Sequence, residues 1–294
     1  MIERVVFGLE DSAFAHDAYS VAGVESKHIK WDRNFEGKSL PTFITDRRIL
    51  EYDYSHIPIE NRFALLIESQ GIMPRIYRKI ETRLSDFRLV FTHSERLLQR
   101  FDNTRWIPGG GVWVGGTYAG GKVGLHKKSK NVSILSSNKL RTKLHRERFC
   151  IAKRFESIDI GVDVFRQKLG EKQRVSVFET LEDYRYSICI ENYLDSRYFT
   201  EKILNALACG TVPIYLGARQ ISDYFDSDGI IEFHNFGDLK NRVLPMIGPD
   251  DYESRSAAIV ANIEKSMAYS SIEDYIYRNY ADQIHVNNSD CQVE

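Results

Sequence analysis

Short apolar runs alternate with amphipathic stretches along nearly the whole chain. Apolar runs that predict buried strands occupy residues 2–9, 42–45, 62–67, 87–92, 131–136, 175–179, 186–190, 212–216 and 230–233. Apolar positions at helical spacing occupy residues 75–84, 94–98, 140–155, 198–209, 239–246, 252–269 and 272–284. Strands that alternate with helices are typical of parallel α/β sheets. The pattern predicts a parallel α/β architecture in both halves of the chain.

A glycine-rich stretch lies between the two halves. Glycines at 109–111 are followed by further pairs up to residue 121 and by polar residues 127–130. Clustered glycines are typical of turns, so we expect a flexible turn rather than a phosphate-binding loop, since no P-loop Gly-Lys-Ser/Thr sequence follows. Three segments are predicted: an α/β domain over 1–128, a second over 129–270, and a C-terminal helix and tail over 271–294, frayed from 287.

The composition is that of a globular protein that buries a sizeable core. The chain has 294 residues, of which 43% are hydrophobic, and its net charge of −1 argues against a general polyanion binder. Four cysteines lack CxxC spacing, and three of them lie in apolar runs, so we expect free thiols and no zinc site. These cysteines are Cys150, Cys189, Cys209 and Cys291.

The expected location is the cytoplasm. Free thiols are typical of a reducing compartment. The N-terminal run is strand-like rather than a signal peptide, and no apolar run approaches the roughly 20 residues of a membrane span. Any contact with the inner face of a membrane is therefore expected to be peripheral.

The segment 186–218 groups polar residues at a predicted strand end and at the start of the next helix. In open parallel sheets, ligands bind at the carboxyl ends of strands and face helix N-termini. A carboxylate can hold sugar hydroxyls, a lysine can hold phosphate and an aromatic ring can cover a sugar or base. We therefore predict a nucleotide-sugar site formed by Glu191, Asn192, Tyr198, Thr200, Glu201 and Lys202.

Helix capping is the alternative explanation for part of this group. Thr200 suits an N-cap and Glu201 suits a first turn. Lys202 in a first turn is electrostatically unfavourable, so capping leaves it unexplained. A bound diphosphate would explain it.

Two further features support a site at this edge. Arg141, Arg146 and Arg148 follow a predicted strand and its 136–138 loop, where arginines suit bidentate phosphate contacts. Solvation of one helix face is the alternative, and both can hold for different arginines. Glu68 directly follows the apolar run 62–67, where it can serve as a general base or simply cap a helix.

Asp226 and Asp228 form a DxD pattern, which holds a divalent cation in some transferases. Here the pattern precedes a predicted strand and lies beside Gly229. This context favours a turn, and we predict no metal site.

The segment 186–218 resembles the donor-site signature of the α-1,3-fucosyltransferase family, glycosyltransferase family ten. That signature runs E-N, then Y-x-T-E-K, then A, G and V-P-[IV]-Y-x-G, and about a dozen positions match at the family's spacing. Residues 132–138 with Arg146 resemble the family's phosphate-binding region, and residues 66–68 with 94–95 resemble its catalytic-base segment. The resemblance is strongest over 129–225. Ile190 departs from it, standing where members usually have Phe.

The resemblance implies a GT-B fold: two Rossmann-like domains with parallel sheets and a cleft between them. It implies an inverting, metal-independent fucosyltransferase that uses GDP-fucose and no cofactor, with the acceptor bound by the N-terminal half. Glu68 would be the general base, and Arg146 and Lys202 would hold the diphosphate. The remaining donor contacts would come from Glu191, Asn192, Tyr198, Thr200 and Glu201. The expected role is synthesis of a surface polysaccharide or glycoconjugate.

Other functions remain open from the sequence. The same fold can transfer another nucleotide-activated sugar or bind one without catalysis. Asp226 and Asp228 would serve a metal-dependent transferase. The stretch 122–154 has eleven Lys or Arg against one acid, Glu147, which allows a nucleic-acid binder, although few aromatic residues interleave with these cations. The acceptor and the linkage are not specified by these residues.

Overall fold

The computed structural model describes residues 4–11, 23–35, 39–158, 160–167 and 175–284, and the predicted frayed tail from 287 lies outside them. The first half contains a six-stranded sheet in the order β2-β1-β3-β4-β5-β6. All neighbouring strands pair in parallel. The strands are β1 (Val5–Glu10), β2 (Ile29–Asp32), β3 (Thr42–Thr45), β4 (Arg62–Leu66), β5 (Leu89–Thr92) and β6 (Thr104–Trp106).

The second half contains a five-stranded sheet in the order β11-β10-β9-β7-β8, again parallel throughout. Its strands are β7 (Lys130–Ser137), β8 (Val162–Gln167), β9 (Tyr184–Ile190), β10 (Val212–Leu216) and β11 (Ile231–Glu232). The central strands are continuous apolar runs because both faces of such a sheet are covered. The predicted parallel α/β architecture is therefore confirmed in both halves.

Helices connect the strands and cover the sheets. They are α1 (Arg48–Glu51), α2 (Pro74–Lys79), α3 (Glu95–Arg100), α4 (Lys143–Glu156), α5 (Glu201–Ala208), α6 (Phe236–Asp238), α7 (Leu244–Met246), α8 (Pro249–Ser254), α9 (Ser256–Met267) and α10 (Ile272–Ile284). A π-helical stretch, Leu239–Val243, joins α6 to α7. Among the described residues, no helix is both long and apolar enough to cross a membrane.

The helix α10 belongs to the first sheet in space although it follows the second sheet in sequence. Its residues Ile272, Ile276 and Ile284 are buried against Phe7 and Phe43 of the first sheet. In its first turn, Oδ1 of Asp274 accepts hydrogen bonds from Oγ of Ser26 at 2.6 Å and from the backbone N–H of Lys27 at 2.9 Å. The chain therefore crosses between the halves twice.

Some predicted elements differ from the structure. Residues 175–179 were predicted as a strand but lead into a 3₁₀ turn, Phe178–Thr180, in which Oγ1 of Thr180 donates to the carbonyl of Val177 at 2.7 Å. The strand β8 was not predicted. The helices predicted at 75–84 and 252–269 are each broken into shorter helices.

The described cysteines are free thiols, as predicted. Cys189 and Cys209 are buried, whereas Cys150 is exposed rather than packed in the core. Cys291 lies outside the described residues.

Candidate active site

The carboxyl ends of the two sheets face each other across a cleft. A Cβ atom placed on Gly71, in the loop after β4, would lie 2.8 Å from Cδ2 of Tyr193 and 3.3 Å from Cγ2 of Thr142 in the second half. The rings of His93, after β5, and Tyr198, after β9, have centroids 4.3 Å apart. The cleft therefore brings together the two edges on which polar residues follow the strands.

Glu191 is fully buried and fixes the position of the residue at which α5 begins. Its Oε1 accepts a hydrogen bond from the backbone N–H of Thr200 at 2.8 Å, and its Oε2 accepts one from Oγ1 of Thr200 at 2.7 Å. Thr200 is in turn the N-cap of α5. The predicted cap is thus present, and Glu191 holds it in place from the end of the neighbouring strand β9.

Lys202 lies among acceptors in the first turn of α5. Its Nζ is 2.8 Å from Oγ1 of Thr200, 2.9 Å from Oε1 of Glu201 and 3.3 Å from Oε2 of Glu191. Burial opposes the charge of Glu201, but the charge and hydrogen bond of Lys202 lower the pKa of this carboxyl. Burial also opposes the charge of Lys202, while the two carboxylates raise its pKa. The pairing gives Lys202 a reason to occupy this turn that the sequence did not reveal.

Positive charge gathers at the start of α4. Burial first, then the charges of Arg148, Lys202, Lys139 and Arg141, lower the pKa of His145 to about 4. Burial by itself lowers the pKa of an imidazole, and the nearby cations lower it further, so His145 lies in a region where positive charge gathers. Such a region beside the N-termini of two helices suits a diphosphate.

Two arginines of α4 have different surroundings. Arg146, the predicted phosphate ligand, is exposed, and its Nη1 donates to the carbonyl of Leu140 at 3.1 Å. Arg148 is buried, its Nη1 donates to the carbonyl of Ile190 at 3.1 Å, and its Nε has no partner among the described residues. The geometry brings Arg148 close to the charges of Glu201 and Glu191, whereas the role of Arg146 stays a prediction.

Glu68 faces this cationic group from the first sheet. It is half-buried. Burial raises its pKa, Lys202 counteracts the rise and Glu201 adds to it. The predicted base and the predicted donor residues therefore share one electrostatic environment, although they lie on different sheets.

Three residues that were not predicted from the sequence, Asp46, Tyr77 and His93, form a hydrogen-bonded group around the backbone of Glu68. Oδ1 of Asp46 accepts hydrogen bonds from the backbone N–H groups of Ile67 at 3.0 Å and of Glu68 at 3.3 Å. The hydroxyl of Tyr77 donates to the carbonyl of Glu68 at 2.9 Å and lies 3.1 Å from Nε2 of His93. Asp46 and His93 directly follow β3 and β5, so the strand-end rule that found Glu68 would also have found them.

Burial sets the protonation of these supporting groups. Asp46 has a positive φ of 43°, and burial raises its pKa to about 7. Burial lowers the pKa of His93 to about 4. Near neutral pH, His93 is therefore uncharged.

The glycine stretch at 109–111 packs against the site instead of forming a flexible turn. The backbone N–H of Gly109 donates to the carbonyl of Phe199 at 2.9 Å, and a Cβ on Gly109 would overlap the ring of Tyr198. A Cβ on Gly110 would lie 2.8 Å from the backbone nitrogen of Glu201. These glycines allow the chain to pass directly beside the first turn of α5.

Tyr198 and Asn192 are buried in the loop between β9 and α5. Tyr198 is only 2% exposed and packs between His93 and Gly109. Asn192 is buried, and its Oδ1 has no partner among the described residues. The donor contacts assigned to both residues stay predictions.

The DxD pattern lies away from the cleft. Oδ1 of Asp226 accepts the backbone N–H of Asp228 at 3.1 Å and so caps a 3₁₀ turn. The turn precedes β11, at the opposite edge of the sheet from the strand ends that form the cleft. In the part of the chain that the structure describes, no group of three or more His, Cys, Asp or Glu side chains is arranged to hold a metal ion.

Sequence comparisons identify relatives of the second half. Residues 125–246 match the profile described as glycosyltransferase family 10 (fucosyltransferase) C-term. An alpha-(1,4)-fucosyltransferase of Arabidopsis thaliana is 30% identical over 98 residues, which are 31% of this chain and 24% of that protein. The alpha-(1,3)-fucosyltransferase FucT of Helicobacter pylori is 34% identical over 58 residues, 20% of this chain and 12% of that protein. The alignments thus span less than a quarter of these relatives.

Solved structures resemble the whole fold. An alpha1,3-fucosyltransferase crystallised with GDP has a TM-score of 0.54 at 15% identity, covering 91% of this chain and 90% of that one. A point mutant of TarM of S. aureus, in complex with Fondaparinux, alpha-GlcNAc-glycerol and UDP, has a TM-score of 0.53 at 13% identity, covering 83% of this chain and 55% of that one.

Two parallel sheets whose carboxyl ends face each other across a cleft define a GT-B glycosyltransferase fold, as predicted. Within that class, residues 125–246 match the C-terminal domain of glycosyltransferase family 10, the fucosyltransferase family, and the two aligned relatives are both fucosyltransferases. The resemblance noted in the segment 186–218 is therefore confirmed.

Proposed function

We propose that this protein is an inverting glycosyltransferase that moves fucose from GDP-fucose to a hydroxyl of a glycan. The observation that carries the proposal is the position of Glu68, which follows a strand of the first sheet and lies near enough to Lys202 and Glu201 of the second half for their charges to act on its carboxyl. A base on one side and an anion site on the other are what such a transfer needs. The proposed setting is synthesis of a surface polysaccharide or glycoconjugate in the cytoplasm.

The donor side neutralises the departing diphosphate. Negative charge grows on that group in the transition state, and fixed cations and helix N-terminal amides stabilise it. Lys202, Arg146 and the first turn of α5 would provide these contacts. Because Glu191 and Glu201 already hold Lys202, its ammonium group is oriented before the donor binds.

The acceptor side removes a proton. Burial raises the pKa of Glu68, which makes it a better proton acceptor than an exposed carboxylate. Asp46 and Tyr77 hold its backbone on both sides. Attack of the acceptor oxygen from the face opposite the diphosphate would invert the anomeric carbon.

Replacement of the base tests the transfer step. Glu68→Gln keeps the shape of the side chain but cannot accept the proton, so the transfer rate should fall by ~10²–10⁴ while GDP affinity changes little. Initial rates and calorimetric GDP titration measure the two quantities. Glu60→Gln, at an exposed residue before the same strand, is the matched control. A Glu68→Gln variant with wild-type transfer would place the base elsewhere.

A different nucleotide-activated sugar is the second candidate donor. The fold is shared with TarM, whose solved complex contains UDP. The fold alone therefore does not determine which nucleotide the donor carries. Calorimetric titration with GDP, UDP and ADP should give tight binding for GDP only. Tight UDP binding without GDP binding contradicts the fucose donor.

The same titrations test metal independence. Because Lys202 and the arginines of α4 supply the positive charge, GDP affinity and transfer should be unchanged in EDTA. If binding requires added Mg²⁺ or Mn²⁺, the metal-free mechanism is wrong.

A further inference from the structure

A second concave site lies in the first half, on the outer face of α2. The pocket has a volume of about 390 Å³, which is within the ~300–1,000 Å³ range of small-molecule sites. It lies between the end of α1 and the segment that runs from α2 into the following 3₁₀ turn. It is lined by Leu50, Arg75, Arg78, Lys79, Thr82 and Arg83.

The lining contains four cations and no acid. Arg75, Arg78 and Lys79 are exposed and form no ion pair with any residue that the structure describes. The acids on the same segment are already paired, because Glu81 is held by Arg96 and Arg100. Asp86 is likewise held by Arg83. Arg83 is thus neutralised by Asp86, whereas the charges of Arg75, Arg78 and Lys79 are not neutralised by any ion pair among the described residues.

The spacing of these cations disfavours the isolated helix. Arg75 and Lys79 lie four residues apart in α2, and like charges at this spacing destabilise a helix. A bound anion would reverse the effect, because it would contact several of the cations at once.

The position of the pocket connects it with the proposed reaction. The helix α2 begins at Pro74, six residues after Glu68, and its Tyr77 donates a hydrogen bond to the carbonyl of Glu68. The cations lie on the exposed face of α2, whereas its buried Tyr77 contacts the segment of the proposed base, so one helix connects the pocket with the base. The donor residues lie across the cleft, on the second sheet.

We propose that this pocket binds an anionic group, a phosphate or a carboxylate, of the acceptor glycan. The inference rests on the proposed glycosyl transfer, since it describes the acceptor of that reaction. Arginine forks match both anions in bidentate geometry. The concave shape favours a discrete group over a flat membrane surface, and the pocket is large enough for a charged sugar unit.

Binding of small probes tests the pocket directly. Wild-type protein saturated with GDP, so that the donor site is filled, is titrated by NMR with glucose 6-phosphate, glucuronate and glucose. The two charged sugars should bind more tightly than glucose, and comparing them separates phosphate from carboxylate. The triple variant Arg75→Gln, Arg78→Gln, Lys79→Gln should bind the preferred sugar roughly tenfold more weakly or worse.

A second triple variant controls for net charge. Lys30→Gln, Lys240→Gln and Lys265→Gln remove the same charge at exposed positions outside the pocket and should leave binding unchanged. Equal loss in both variants, or equal binding of glucose and the charged sugars, overturns the proposal. Flotation with phosphatidylserine vesicles that is lost only in the pocket variant, without binding of the charged sugars, would also overturn it in favour of a membrane surface.

Kinetics separate this inference from the proposed function. With a phosphorylated or carboxylated acceptor, the pocket variant should raise the acceptor KM and leave kcat and the KM for GDP-fucose unchanged. If the wild type transfers the sugar equally well to charged and to uncharged acceptors, the anion pocket is wrong while the transferase function stands. Charged-sugar binding without any transfer supports the pocket and contradicts the proposed function.

Discussion

At the residue scale, the site depends on buried charges that satisfy one another. The sequence located Glu191, Thr200, Glu201 and Lys202, because a strand end followed by a helix start is visible in the pattern of residue types. It did not reveal which atoms pair. That information arises only when β9 and the start of α5 fold against each other, which brings Oε2 of Glu191 within 3.3 Å of Nζ of Lys202.

The two arginines of α4 illustrate the same limit. Arg146 and Arg148 are two residues apart, and their sequence context is nearly identical. Their different burial follows from the rotation of α4 against the sheet, since residues two apart on a helix point in different directions. The periodicity of apolar residues predicted which face of α4 is buried, but it did not predict which of the two arginines is buried with that face.

Removal of the Glu191 charge tests the buried pairing. Glu191→Gln should lower the free energy of unfolding by about 3 kcal/mol, because Lys202 loses one buried partner. GDP affinity should weaken as well, since the start of α5 is less well fixed. Urea unfolding and calorimetry measure the two effects, with exposed Glu253→Gln as the control. Unchanged stability would show that Glu201 alone compensates the buried charge of Lys202.

At the element scale, local patterns predicted the central strands well and the peripheral elements poorly. Apolar runs such as 62–67 and 212–216 correspond to buried strands because both faces of these strands are covered. The strand β8 lies at a sheet edge, pairs only with β7 and is partly exposed, so its sequence is mixed and gave no clear signal. The apolar residues at 175–179 pack in a turn, where a short alternation imitates a strand.

The first turn of α10 contains a carboxyl that should make stability depend on pH. Glu273 is fully buried; its Oε1 accepts the indole N–H of Trp31 at 3.2 Å, and its Oε2 accepts the hydroxyl of Ser271 at the same distance. Burial raises the pKa of Glu273 from 4.5 to about 7. Its neutral form therefore stabilises the fold below pH 4.5, and this contribution is lost as pH rises through about 7.

Glu273→Gln removes this dependence. The amide keeps the acceptor for Trp31 and the shape of the side chain but does not ionise. The wild type should lose up to about 3 kcal/mol relative to the variant between pH 4.5 and pH 8, from ~1.4 kcal/mol per pKa unit. Urea unfolding across this range measures it, and exposed Glu264→Gln is the control. Parallel curves for the wild type and Glu273→Gln contradict the assignment.

At the scale of the whole molecule, the cleft is the feature that a linear sequence specifies least. Glu68 and Lys202 are separated by more than a hundred residues, and their shared environment depends on how the two sheets face each other. The family resemblance predicted that arrangement, whereas hydrophobic patterning alone predicted only two α/β halves. The packing of the glycine stretch beside α5 also depends on this arrangement.

A methyl group at Gly110 tests the close packing between the halves. Its Cβ would lie 2.8 Å from the backbone nitrogen of Glu201, so Gly110→Ala should displace the first turn of α5, destabilise the fold by about 1–3 kcal/mol and weaken GDP binding. Thermal unfolding and calorimetry are the measurements. Gly248→Ala is the control, because nothing lies within 4 Å of its Cβ position. Wild-type GDP affinity in Gly110→Ala would mean that α5 tolerates the shift.

The two chain crossings between the halves lie side by side. The backbone N–H of Val112, on the first crossing, donates to the carbonyl of Ser270, on the second, at 3.0 Å. The ring of Trp106 contacts those of Tyr269 and Tyr275 at the same place. Mechanically, adjacent attachments of this kind act as a single pivot. If one half rotated about it, the rim of the cleft furthest from Val112 would move most and the chain around Val112 least, so a small change of angle there would produce a larger change in the width of the cleft mouth.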